Sequence, residues 1–348
     1  MGLRGYAGLL LLFLTTLELA ARCDDHLTWG APLWGPYSFE HLTVTDDQGT
    51  RGRPNACYEK WCLNSWGFRG PEIAMEKPDG VIRVAVLGAS EVFGQYEDPG
   101  KEIPAQIQAR LDRRAPGRFQ VINAACSGMS PPQVARHFQD RVRRFAPDIA
   151  VFYPTPQFYL NNRPPGAPPS RPDHPAPPLR VFQKTKTVCK RLLPGWLQTE
   201  LRSLAIQREV RDHPPGWVWN RVPADRVALF RRDLDVVIDV VWRAGTCLVL
   251  ATHASGLSMA DRHQLVALRK FYPRASPAAL LGMNGAINDV IRATGTSRGV
   301  PVVDLHHLLG KRPELFADFS HFTNEGAALA ADHMVRAVLR HVDHRSMR

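Results

Sequence analysis

The sequence is short of cysteine, short of acid and almost free of long apolar runs. Six cysteines in 348 residues cannot build a disulfide scaffold. They form no Cys-x-x-Cys pair and no Cys/His cluster of zinc-ligand spacing, so no metal is expected. Cys57 and Cys62 are near enough in sequence to close a small loop, and only geometry decides whether they do. Asp and Glu number 33 against 44 Lys and Arg, a formal net charge of +11. Such an excess suits an anionic neighbour, whether nucleic acid, acidic glycan or lipid surface, or else a solvated basic surface. No helix-turn-helix or zinc-finger pattern accompanies it, and nucleic acid is not an expected partner. A chain with 44% hydrophobic and 22% charged residues is neither a disordered tail nor a multi-span membrane protein.

One apolar run is present. Arg4 precedes Gly8 to Leu17 (GLLLLFLTTL), Glu18 ends the run, and Ala20-Ala21 offer a cleavage site. The pattern predicts an export signal over residues 1–21, or an N-terminal anchor if uncut, which places the protein in the periplasm or outside the cell. Arg22 before Cys23 argues against lipid attachment. Residues 22–77 then form an N-terminal extension and 78–348 the main domain.

Within that domain strands and helices alternate. Short apolar, β-branched runs predict strands at Val81 to Leu87, Phe119 to Ile122, Ile149 to Tyr153, Cys247 to Ala251 and Val300 to Val303. Helical spacing covers Ile103 to Arg113, Pro132 to Phe145, Ala224 to Arg243, Pro277 to Thr294 and Asn324 to His341. Five such cycles imply an α/β fold, a three-layer α/β/α sandwich around a parallel sheet. An insertion at about 161–223 follows the third strand. Its first part, Arg163 to Pro178, is proline-saturated and cannot be regular helix or sheet. Its second part carries basic residues and Trp196, Trp217 and Trp219, and reads as a lid or substrate wall.

Ligands of open parallel sheets bind at the carboxyl ends of the strands. Ser90 follows the first strand in a turn between glycines. His321 precedes the closing helix, and Asp318 lies three residues before it. A serine hydroxyl needs a base, and a carboxylate orients an imidazole for that task. A second Asp-x-x-His, Asp304 to His307, is expected to end a strand and cap a turn. His253, after the fourth strand, is expected to be a polar loop residue.

In order, these blocks resemble the SGNH/GDSL hydrolase family. Gly88-Ala89-Ser90 is similar to its first block, normally Gly-Asp-Ser, which carries the nucleophile. Asn123 to Ser130 is similar to the second, whose glycine, here Gly128, donates a backbone N–H. Asp318-Phe319-Ser320-His321, followed by Thr323 and Gly326, is similar to the last. Asn64 to Gly70 (NSWGFRG) resembles a segment that precedes the first block in many bacterial members. The resemblance implies a serine esterase, acyl hydrolase or O-acyltransferase without cofactor. Ser90, His321 and Asp318 would be catalytic, and a small-molecule or carbohydrate ester the substrate. The third block departs from the pattern. Pro156 stands where an oxyanion asparagine is usual, leaving Gln157, Thr155 or only the N–H groups of Ser90 and Gly128 as donors. Loss of one such donor costs about 10²–10³ in rate. A catalytically silent binding protein of the same fold is the alternative.

Overall fold

The structure is a computed structural model and describes residues 3–46, 49–161 and 179–346. Its centre is a five-stranded sheet of β1 (Ile82–Gly88), β2 (Phe119–Asn123), β3 (Ile149–Tyr153), β4 (Cys247–Ala251) and β5 (Val302–Val303). Every neighbouring pair is parallel, in the order β2-β1-β3-β4-β5. This is the doubly wound, flavodoxin-like order.

The helices are α1 (Leu3–Trp29), α2 (Ser90–Phe93), α3 (Ile103–Arg114), α4 (Pro131–Asp140), α5 (Arg180–Leu192), α6 (Gly195–Arg211), α7 (Ala224–Arg243), α8 (Arg262–Arg269), α9 (Pro277–Arg298), α10 (Leu305–Leu309) and α11 (Asn324–Ser346). The period-2 alternation of each strand sorts its side chains between two cores. Leu87, Phe152 and Leu250 point to one face, where Phe138 of α4, Leu234 and Val241 of α7 and Ile287 of α9 cover them. Val86, Val151 and Val249 point to the other, against Ile107 of α3 and Met334 and Val338 of α11. Full burial of such a side chain contributes about 1.5–3 kcal/mol, which is why both faces demand a helical layer.

Two boundaries differ from the sequence reading for local reasons. The strand expected from Val300 starts at Val302, because the Val300 N–H turns back to Gly295 O and Pro301 has no N–H to give. The helix expected over Pro132 to Phe145 is α4 plus a separate 3₁₀ turn, Val142–Phe145. α4 begins one residue earlier than expected, behind a capping box of Ser130 and Gln133.

The N-terminal extension contains two hairpins, Thr43–Asp46 with Gly49–Gly52 and Cys57–Tyr58 with Trp61–Cys62, and a Cys57–Cys62 disulfide closes the second. In the insertion, the proline-rich run Arg163 to Pro178 lies outside the described residues. The basic part that follows is two helices: α5 packs on α1 and α6 on α8. Of its tryptophans, Trp219 lies against the core under the Arg274 guanidinium, whereas Trp196 is exposed.

Candidate active site

The loops at the carboxyl ends of β1, β2, β3 and β4 meet. β1 delivers the chain to Gly88, where a Cβ would sit 2.6 Å from Val92 and 2.8 Å from the Tyr153 carbonyl oxygen. Only glycine permits that close packing, and it lets Ser90 open α2 directly above the strand. The Cys126 N–H donates to Gly88 O at 3.4 Å, which draws the β2 loop against the same edge.

His321 comes from the loop before α11. Asp318 Oδ1 accepts the backbone N–H of Ser320 and of His321, both at 2.9 Å, so the carboxylate shapes its own loop. The same carboxylate accepts from His321 Nδ1 at 2.8 Å, which leaves Nε2 facing Ser90 Oγ at 2.8 Å. The structure therefore brings Ser90, His321 and Asp318 into one hydrogen-bonded chain. Tyr96 stands at its mouth, its ring 5.1 Å from the imidazole.

The surroundings shift His321 toward its protonated form. Burial alone would lower the pKa of His321, but the Asp318 hydrogen bond and the charges of Glu91, Asp318 and Glu97 raise it above its ordinary value. Burial opposes ionisation of Asp318, yet the bond to His321 holds its carboxyl below the usual range. Glu97 is the reverse case: burial pushes its pKa up to about 7 against the influence of neighbouring N–H groups, His321 and Arg69.

Beneath the serine lies a group that sequence reasoning missed. Glu91 is buried, and its Oε2 accepts from Thr155 Oγ1 at 2.9 Å and lies 3.4 Å from Ser90 Oγ. Its Oε1 faces Ser320 Oγ at 3.3 Å and His253 Nε2 at 3.4 Å. Burial opposes its ionisation, but the His253 hydrogen bond and the charges of His321 and His253 bring its pKa down to about 2. His253 is the polar loop residue expected after β4, but it does not face solvent. It is fully buried, its Nδ1 is 2.8 Å from Asn284 Oδ1, and Asn288 holds its backbone on both sides, from N–H and to carbonyl, at 2.8 and 2.9 Å. Both ring nitrogens thus lie within hydrogen-bond reach of side-chain oxygens, those of Asn284 and Glu91.

A second missed residue is Arg69, in the Asn64 to Gly70 segment. It is buried and donates to the carbonyls of Phe93 and Gly94, tying the N-terminal extension to the end of α2. Asn64 Oδ1 shapes that segment by accepting the N–H groups of Trp66 and Phe68, both at 3.0 Å.

Of the donors considered for an oxyanion, Thr155 is corrected: its single hydroxyl proton goes to Glu91. Gln157 is buried, with Oε1 lacking a partner among the described residues. Gly128 has φ 80°, which favours glycine, and nothing lies within 4 Å of where a Cβ would stand. Neither its N–H nor that of Ser90 meets an acceptor among the described residues. Asp304 behaves as expected of the other Asp-x-x-His. It caps α10 and pairs with Arg292 at 2.8 Å and His307 at 2.6 Å. Among the described residues no three His, Cys, Asp or Glu side chains are grouped to hold a metal.

No family model and no curated protein matches the sequence. Solved structures of similar fold include a lipase/acylhydrolase from Enterococcus faecalis, 15% identical, with a TM-score of 0.46 over 74% of this chain and 95% of that one. A GDSL-like lipase from Bacteroides thetaiotaomicron is 11% identical, with a TM-score of 0.40 over 74% of this chain and 88% of that one. An acetyl xylan esterase is 14% identical, with a TM-score of 0.42 over 74% of this chain and 100% of that one.

Proposed function

We propose that this protein is an exported serine enzyme of the SGNH type that cleaves or transfers acyl esters. The observation that supports this reading is the unbroken chain Ser90 Oγ, His321 Nε2, His321 Nδ1, Asp318 at the carboxyl edge of the sheet, with links of 2.8 Å. In the proposed reaction His321 Nε2 takes the Ser90 proton as Oγ bonds to the ester carbonyl carbon. Asp318 stabilises the resulting imidazolium, and the N–H groups of Ser90 and Gly128 receive the negative oxygen. His321 then returns the proton to the leaving alkoxide, and the acyl group stays on Ser90. Water or a sugar hydroxyl, deprotonated by the same imidazole, attacks the acyl carbon and frees the serine. Esters on small molecules or carbohydrates are the substrate classes that suit an exported enzyme.

The proposal fixes a pH dependence. Only neutral imidazole can act as base, and the charges around His321 raise its pKa above the ordinary 6.5. Activity should therefore be lost as pH falls, with the midpoint of the acid limb of kcat/KM above 6.5. Release of p-nitrophenol from p-nitrophenyl acetate, followed from pH 5 to 9, measures it. Turnover that is flat across this window, or that survives His321→Ala unchanged, contradicts the reading.

A catalytically silent binding protein is the second reading. It is favoured by one feature, the commitment of the Thr155 hydroxyl to Glu91 beside a third block that has Pro156 in place of asparagine.

A further inference from the structure

The basic helices of the insertion carry a set of exposed apolar side chains that the chemistry at Ser90 does not use. On α5, Phe182 is 64% exposed, Val188 51% and Leu192 77%. Val188 and Leu192, four residues apart, share one side of the helix, and Phe182 lies toward its edge. Leu193 and, on α6, Trp196 (69%), Leu201 (51%) and Leu204 (60%) are exposed as well. The exposed Lys186, Lys190 and Arg191 flank them. Lys190 is crowded by cations: burial together with Lys186, Lys270 and Arg202 holds its pKa below the ordinary lysine value. An isolated apolar set of this size invites aggregation, and a basic one with an exposed tryptophan has a natural counterpart in an anionic lipid surface.

What lies beside it identifies the occupant. α1 carries a helical stretch, Gly5–Trp29, apolar enough to enter a membrane, and Leu9 to Leu14 are all exposed. The polar half of α1 is fastened to the start of α5. The Val181 N–H donates to Glu18 at 3.0 Å, Lys184 pairs with Asp24 at 2.6 Å and with Asp25 at 2.7 Å, and Arg180 approaches Asp25 at 3.7 Å. Arg180 also donates to the Pro32 carbonyl oxygen. These bonds hold α5 beside the point where the apolar half of α1 leaves the protein.

We infer that α5 and the start of α6 lie on the surface of an anionic bilayer beside the inserted apolar half of α1, with Phe182, Leu192 and Trp196 in the acyl boundary and Lys186, Lys190 and Arg191 among the headgroups. The membrane is thus held at two places, one hydrophobic and one both hydrophobic and electrostatic. The second is sensitive to salt and lipid charge.

Full-length protein reconstituted in vesicles tests this. Vesicles of phosphatidylcholine with phosphatidylglycerol, both with brominated acyl chains, should quench part of the tryptophan fluorescence. Trp196→Phe should remove that part. It should also be lost in pure phosphatidylcholine vesicles, at high salt and in a Lys186→Glu/Lys190→Glu/Arg191→Glu variant, although α1 still anchors the protein. The inference is overturned if Trp196→Phe leaves the quenching unchanged. It is equally overturned if Trp196 escapes quenching while an anionic polysaccharide perturbs its emission, for then the face binds glycan.

Discussion

Ser90→Ala is expected to lower kcat/KM for an acyl ester by at least about 10³-fold while leaving the fold intact. The serine oxygen is the atom that would carry the acyl group, so its loss removes the covalent step and leaves only binding and oxyanion stabilisation. The structural cost is small, because Ser90 sits at the start of a four-residue helix and its side chain makes two hydrogen-bond contacts, to His321 and Glu91. Circular dichroism and thermal unfolding should match the wild type. A Ser90→Ala protein that turns over p-nitrophenyl acetate as fast as the wild type removes Ser90 from the reaction. Asp318→Asn should act in the same direction by a different route. An amide cannot receive the Nδ1–H of His321 as a carboxylate does, and loss of that orienting group costs about 10⁴ in comparable triads.

Glu91→Gln should change both stability and the pH profile. Glu91 is the shared acceptor for Thr155, Ser320 and His253, all buried. Removing its charge leaves the buried Thr155, Ser320 and His253 facing an uncharged amide, and leaving a buried polar group unsatisfied costs about 1–3 kcal/mol. The linkage has a definite sign. The folded-state pKa of Glu91, about 2, lies below its ordinary 4.5. The stability it contributes is therefore complete above pH 4.5 and is lost as pH falls toward 2. The glutamine variant should lack that loss and should be less stable than the wild type at neutral pH. The same charge helps raise the pKa of His321, so the acid limb of kcat/KM should move to lower pH in the variant. A purely structural role would lower the melting temperature without moving the limb, and that pair of results would contradict the assignment of Glu91 as a positioning residue.

Much of the scaffold was legible because short β-branched runs such as Ile149 to Tyr153 have no other comfortable state than a strand buried on both faces. Ser90, His321 and Asp318 were legible as a set because each follows or precedes an element whose position the alternation already implied. Glu91 was not. An acidic residue one place after a serine, in the first turn of a helix, usually faces water and the helix dipole. Here the short α2 turns it inward beneath the loop of β3, a placement that only tertiary packing decides. The apolar flanks Val92 and Phe93, both buried, were the available hint. The burial of His253 was not legible for a similar reason: two asparagines on α9, far away in sequence, supply its partners. The second half of the insertion did carry a signal in Val188 and Leu192, four residues apart. Its basic residues and tryptophans suggested a lid or substrate wall and not an apolar surface.

The most direct measurement is covalent labelling with a fluorophosphonate, located by peptide mass spectrometry. A serine activated by an imidazole attacks such a phosphonate, whereas an ordinary serine does not. The account predicts one adduct on Ser90, formed faster as His321 deprotonates and absent from His321→Ala. No adduct in the folded wild-type protein, or an adduct on the neighbouring Ser320 or Ser255 in place of Ser90, contradicts it, and the absence of any adduct favours the silent binding protein.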